Sequence, residues 1–249
     1  MTAGRSSYLV FVYIVLCGAL LTGCKKDNPD GSVNGKTVTD FDGNIYHVII
    51  IGKQTWMLEN LRTSHYATGD PILVADNDCT SYSNAYAYGT YYEYGDSSYI
   101  KKFGRYYNAI AVLDNRGLAP RGWHVASAAD WAELFSYLGD KHPNDPDSSA
   151  AVNLLSSDTS FYHYAPKPAP TWLSQLPDSS RQMIQFGGKL NCSHVNYALG
   201  VSAYFWTSTV NNFTSNKVIL FDSYSHYPAV NVTAFASYAG MSVRCVKNN

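Results

Sequence analysis

Seven histidines, 19 acidic side chains and five cysteines are the groups that could do chemistry in this chain of 249 residues, so their spacing decides what chemistry is open to it. His124 follows Gly122-Trp123 inside an apolar run just ahead of a helix-like segment, the setting of a structural histidine hydrogen-bonded to backbone. Glu59-Asn60 offers side-chain oxygens at a turn, where capping a helix or bracing Arg62 is the plainer use. No G-x-S-x-G, no H-E-x-x-H and no glycine loop able to cradle phosphate occurs. Neither a Cys-x-x-Cys pair nor a histidine-rich spacing points to zinc. The expectation is no catalytic residue, no metal and no cofactor.

One cysteine stands in a reactive setting. Residues Tyr8 to Leu20 read YLVFVYIVLCGAL, too short to span a bilayer comfortably, and Arg5 is the only charged side chain before them. The run ends on Leu21-Thr22-Gly23-Cys24, which resembles a bacterial lipobox. In that reading residues 1–23 are a signal peptide and Cys24 is lipidated, with several acyl chains giving a stable anchor. Residues 24–36 are polar and rich in Gly, Asn and Asp, and are expected to form a flexible tether. Lys25 and Lys26 precede Asp27 and Asp30. An acidic mark for export to the outer face is therefore only partial.

Residues 37–249 are left for one domain, long enough for a substantial core. Removing Arg5 with the signal leaves 17 Lys+Arg against 19 Asp+Glu and no basic stripe, so a nucleic-acid partner is disfavoured. Cys79, Cys192 and Cys245 remain, an odd count that excludes a disulfide framework. The 21 tyrosines suit half-buried sheet surfaces as well as stacking on sugar rings.

The elements that must position these groups can be read in order. TVTDFDGNIYHVIIIGKQTWML is a meander with turns at Asp42-Gly43, a two-residue hairpin signal, and at Gly52-Lys53. Val38, Ile45, Val48 to Ile51 and Trp56 are expected on its apolar face. Residues 62–102 read as loop with a short helix, and RYYNAIAVLD fits a strand or a helix equally. Trp123 to Ala126 reads as a strand. Ser127 then caps a helix, with Asp130 completing the capping box. Trp131, Leu134, Phe135 and Leu138 form one stripe of that helix, and Gly139 ends it. A weaker helix is expected from Ser148 to Leu155, then an irregular Pro-rich region, and then short strands YFWTST, KVILFDS and MSVRCVK.

The blocks WMLENL, KFGRYYNAIAVLD, GLAPRGWHVASAADWAEL, YFWTST and MSVRCVK resemble, in this order, those of the Fibrobacter succinogenes major paralogous domain family. The resemblance spans residues 38–247. It implies a C-type-lectin-like α+β fold, with antiparallel strands, one or two helices and long loops. It also implies a setting on lipoproteins of Bacteroidetes. Ala119 stands where many members have Cys, so a pairing of Cys245 with that site is lost, and Ala126 stands where the family has Pro. Calcium, used by many lectins of this fold, is not expected, since Asp145-Pro146-Asp147 cannot supply six to eight oxygens and Asp147 reads better as a helix cap.

These readings together describe a lipoprotein of the outer membrane, at the cell surface or on the periplasmic face, that presents a binding or adhesion module for glycan or protein. The alternatives are a secreted-type enzyme acting on a glycan or surface substrate, and a purely structural component. Ligand contacts are expected from Tyr162, Tyr164 and Trp172, whose rings can stack, and from Asn211 and Asn212, whose amides both donate and accept. The anchor is directly testable. Cells fed a clickable fatty acid should label the protein, and Cys24→Ser should abolish the label; label retained by that variant would exclude Cys24 as the acylated residue.

Overall fold

The computed structural model describes residues 37–74, 86–88, 97–138, 184, 187–190, 196–199, 201–212, 215–222, 229–236 and 238–249. The chain opens with β1 (Thr37–Thr39), β2 (Ile45–Ile51) and β3 (Gln54–Met57). Next come β4 (Leu73–Val74), β5 (Tyr86–Tyr88), helix α1 (Ser97–Phe103), β6 (Tyr106–Tyr107) and helix α2 (Ala109–Val112). β7 (Trp123–Val125) leads into α3 (Ala128–Tyr137). The late part holds β8 (Lys189–Leu190), β9 (Asn196–Tyr197), β10 (Ser202–Asn212), β11 (Ser215–Asp222), β12 (Ala229–Ala236), β13 (Ser242–Val243) and β14 (Cys245–Lys247). The architecture is α+β, mostly antiparallel sheet with few helices.

Two sheets dominate. The first has the order β1-β2-β3-β14-β7 and the second β12-β11-β10-β13. All pairings in them are antiparallel except β10 with β13, where Trp206 lies beside Val243. The alternation of β10 explains the packing. Ala203 and Phe205 point to one side, into a cluster with Trp56, Trp131, Leu134, Phe135 and Ile219. Trp206 points to the other side, into a cluster with Tyr46, Met57, Tyr107, Val218 and Cys245. The centres of β10 and β11 are thus buried on both faces, which is why YFWTST and KVILFDS read as short continuous apolar runs.

The local chemistry of α3 is as its sequence demands. The Ser127 hydroxyl accepts from the Asp130 N–H, the Asp130 carboxylate accepts from the Ser127 N–H, and Trp131, Leu134 and Phe135 are buried. Trp131 tilts against Phe205 with ring centroids 5.5 Å apart. Gly139 and the Ser148–Leu155 segment lie outside the described residues. RYYNAIAVLD turns out to hold both element types: β6 gives way to α2 at Asn108, whose side chain accepts from the Ala111 N–H.

The first hairpin differs from its sequence reading. Thr39 pairs with Ile45, so five residues connect the strands and not two. The Asp40 carboxylate causes this, accepting from the Asn44 N–H at 2.9 Å and from the Asn44 amide at 2.9 Å. Gly52-Lys53 is the two-residue turn instead, with Ile51 opposite Gln54 and Gly52 at φ +61°. The apolar face is also narrower than read. Val38, Ile51 and Trp56 are buried, whereas Ile45 and Ile50 are exposed; Tyr46 and Ile51, five residues apart and so on opposite faces of β2, enter different core clusters. Residues 62–102 do contain the short helix, as α1, together with the small strands β4 and β5.

Cys245 is a free, fully buried thiol in β14, and burial pushes its pKa well up, so it behaves as a small apolar side chain. Cys79 and Cys192 lie outside the described residues. Phe135→Ala should cost about 3–5 kcal/mol, read as a lower denaturant midpoint at unchanged slope. An unchanged midpoint would contradict the burial of that ring.

Candidate functional site

The blocks WMLENL, KFGRYYN and MSVRCV converge on one buried guanidinium. Arg244 is 1% exposed. It donates to the Leu58 carbonyl, to the Met57 carbonyl at 2.9 Å and to the Asn60 side-chain oxygen at 2.5 Å. Asn60 in turn donates to the Phe103 carbonyl at 2.9 Å. Burial lowers the Arg244 pKa to about 10, and nearby Glu59 opposes that shift. Gly104 is required beside this junction: its φ is +74°, and a Cβ there would lie 2.6 Å from the Asn60 Cβ. Asn60 therefore braces Arg244, and neither caps a helix nor holds Arg62. Arg62 lies over the Tyr46 ring and donates to Asn44 and the Ile45 carbonyl. Arg244 lies between β13 and β14, and its partners are carbonyls and an amide.

Three histidine–carboxylate pairs offer the elements of acid–base chemistry. His47 donates its N–H to Glu59 at 2.7 Å and its Nδ1 lies 2.5 Å from the same carboxylate. His65 Nδ1 is paired with Asp42 and lies 3.3 Å from the Ser64 hydroxyl. This places Ser, His and Asp together, but not as a catalytic triad. The serine faces the same ring nitrogen as the aspartate, and it donates to Asp42 at 2.9 Å. Asp42 also accepts from the Ser64 N–H at 2.5 Å and from the Thr63 hydroxyl at 3.0 Å. Burial raises its pKa, but these hydrogen bonds outweigh burial and the net shift is downward. Asp42 is a saturated latch between the first hairpin and residues 63–65.

His124 is the third. Its Nε2 lies 3.1 Å from Asp130 and its Nδ1 2.7 Å from the Asn248 side-chain oxygen. The sequence reading gave it backbone partners. Its partners are side chains because the ring leaves β7 toward the capping box of α3 and the chain terminus. Ala126 beside it uses a group that proline lacks, donating its N–H to the Arg244 carbonyl at 2.9 Å.

A cleft of about 520 Å³ is built differently. It lies between the Gly52-Lys53 turn and the last turns of α3, lined by Ile51, Gly52, Lys53, Gln54, Glu133, Ser136 and Tyr137. Gln54 is committed below it, donating to the Asp130 carbonyl at 3.0 Å and accepting from the Trp56 indole at 3.1 Å. Among the described residues, the side chains of Lys53, Glu133, Ser136 and Tyr137 make no hydrogen bond or ion pair. Glu133, Ser136 and Tyr137 stand at i, i+3 and i+4 on one helix face. Tyr137 is 65% exposed. The arrangement offers an aromatic face, a carboxylate, an ammonium and a hydroxyl around one concavity, without a paired base and nucleophile. That equipment suits binding.

A family model for the Fibrobacter succinogenes major domain matches residues 49–247. The chain belongs to this family. No curated protein and no solved structure gives a significant match to it. The blocks that carry membership of the Fibrobacter succinogenes major domain family have structural work here: Arg244, Asn60, Gly104 and the capping box of Ser127 and Asp130 join elements to each other.

Of the residues expected to touch a ligand, Tyr162, Tyr164 and Trp172 lie outside the described residues. Asn211 and Asn212 are exposed at the end of the β10–β11 hairpin, apart from the residues that line the cleft. Asn211 donates to the Ser215 hydroxyl at 3.2 Å, and Ser215 donates to Asn212 at 2.9 Å, so both amides help close the turn. Among the described residues no group of three His, Cys, Asp or Glu side chains could hold a metal. Sequence reasoning missed the cleft because Glu133, Ser136 and Tyr137 read as an ordinary solvated helix face. The only signal was the glycine turn that packs against it.

The His124–Asp130 pair predicts a pH window. Burial raises the Asp130 pKa, yet hydrogen bonds from His124 and Ser127 bring it down to about 2, whereas the bond to Asp130, opposed by partial burial, raises that of His124. Stabilisation through Asp130 is present above its unfolded value of 3.8 and fades as pH falls toward 2. Stabilisation through His124 is complete below its unfolded value of 6.5 and fades as pH rises through the higher folded value. His124→Gln should therefore lower the melting temperature most between those two values and less on either side. A penalty independent of pH would show that the pair carries no charge interaction.

Proposed function

We propose that the chain is a lipoprotein of the cell envelope, held to the outer membrane through Cys24, that presents a lectin-like binding module to a glycan or a protein. The observation that carries the binding reading is the cleft at Gly52 and Tyr137, where four polar side chains converge that make no hydrogen bond or ion pair among the described residues, while the histidine–carboxylate clusters described above are bonded internally. Binding sites keep such groups uncommitted, because a group already bonded within the protein must break that bond to meet a ligand. The order of elements supports the lectin-like assignment: early hairpins, a strand leading into a capped helix, a long intervening segment, and late strands of which the last, β14, returns to lie beside β3. The anchor reading rests on Leu21-Thr22-Gly23-Cys24 and the polar residues behind it. The segment holding Tyr162, Tyr164 and Trp172 and the hairpin end at Asn211 and Asn212 belong to the same proposal as further contact surfaces.

A glycan array probed with the detergent-solubilised full chain tests the reading. Saturable retention on at least one glycan is the expected result. An array empty at every position removes the glycan form of the proposal. Absence of any saturable partner on protein crosslinking in intact cells as well would overturn a binding role.

A further inference from the structure

The cleft between the β2–β3 turn and α3 carries information about its ligand that goes beyond the presence of a site. It starts with the tyrosine. Gly52 needs its positive φ of +61° for the two-residue turn, and its missing side chain is what admits the ring: a Cβ there would stand 2.8 Å from Tyr137 Cδ2 and 3.0 Å from Cγ. The ring is therefore held against backbone on one side while 65% of the residue meets solvent. A tyrosine confined in this way keeps a flat apolar surface in water at little further cost in conformational freedom, so a partner that stacks on it loses little entropy from the protein side.

The charges restrict the partner further. Lys53 and Glu133 line the same concavity, and among the described residues neither is ion-paired. An anionic ligand meets repulsion from Glu133, and a cationic one from Lys53. A wholly apolar ligand strips water from both without replacing its hydrogen bonds. A ring bearing several hydroxyls avoids all three penalties. Each hydroxyl accepts from an ammonium and donates to a carboxylate, and Ser136 supplies a further hydroxyl able to do either. The C–H face of such a ring is flat and apolar and covers an aromatic face. A concavity of about 520 Å³ falls in the range that takes a small ligand.

We propose that this cleft binds one neutral pyranose ring, stacked on Tyr137 with its hydroxyls held between Lys53 and the pair Glu133 and Ser136. The proposal rests on the reading of the chain as a binding module and names the ligand class of that site. Its recognition elements come from two parts of the fold, the turn at 52–53 and the helix face at 133–137. Both are fixed relative to each other by the hydrogen bond from Gln54 to the Asp130 carbonyl.

The test titrates the detergent-solubilised full chain with methyl glycosides of glucose, galactose, mannose and N-acetylglucosamine at millimolar concentrations, followed by saturation-transfer NMR, with glycine as a zwitterionic control. Saturable transfer from at least one glycoside is expected. Tyr137→Ala and Glu133→Gln should each weaken binding by about tenfold or more, while Tyr137→Phe keeps most of it, since the ring and not the phenol does the stacking. Because Tyr137 and Glu133 are exposed, unchanged melting temperatures are expected and report that the variants fold. Glycoside binding that survives both Tyr137→Ala and Glu133→Gln overturns the cleft assignment while leaving the binding-module reading intact. Binding of glycine with no transfer from any glycoside overturns the pyranose class. If no glycoside binds while the chain still takes a glycan on the array or a protein partner in cells, the inference fails and the proposed function stands.

Discussion

The buried guanidinium of Arg244 is the constraint on which the rest of this structure depends. It sits between β13 and β14, at the point where the chain leaves the second sheet and enters the first. A fully buried cation is costly unless its donors are met. Here the two terminal nitrogens are met by the Met57 and Leu58 carbonyls and by Asn60, all at or just beyond the end of β3. Satisfying one side chain thus fixes where the two sheets join, where β3 must stop, and where the α1–β6 turn must come to receive Asn60. The Phe205 ring, 5.6 Å from the guanidinium carbon, closes the remaining side and ties the junction to β10.

Seen from that junction, the polar chemistry of the molecule divides in two. Asp40, Asp42, Glu59 and Asp130 each serve a hairpin, a loop or a cap, and their hydrogen bonds are made within the protein. The lowered pKa values of Asp42 and Asp130 and the paired histidines, features that elsewhere point to active sites, here follow from structural latches. The cleft at Tyr137 is opposite in character. Its groups sit on an ordinary helix face and an ordinary turn, and only their proximity distinguishes them.

That division explains how much of the molecule could be read from the chain. Strong local rules gave the right answer for the capping box at Ser127, for Trp131, Leu134 and Phe135 of the helix stripe, for the Gly52-Lys53 turn and for the strands in YFWTST and KVILFDS; Leu138 of that stripe is only partly buried, and MSVRCVK, read as one strand, is split at Arg244 into β13 and β14 of different sheets. The first hairpin was misread because the Asp42-Gly43 signal is local, whereas the loop is shaped by Asp40 reaching Asn44. His124 was misassigned for a similar reason: its partner Asn248 is 124 residues away, and no pattern marks it. Glu59 and Asn60 have long-range partners too, His47 and Arg244. The cleft was illegible because it exists only where β2, β3 and α3 meet.

The place of β14 carries a consequence for how the molecule is made. Its residues 245–247 lie between β3 and β7, so an interior strand of the first sheet is made later than all its neighbours there. In a chain delivered amino end first, the β2–β3 hairpin exists before β14, so β3 keeps an open edge until residues 245–247 arrive. Removal of Cys245 to Lys247 would uncover the Trp56 edge and part β3 from β7. Docking of β14 therefore acts as a checkpoint: an intermediate without it presents an unpaired strand edge for chaperones or proteases to detect, and one that has docked it does not.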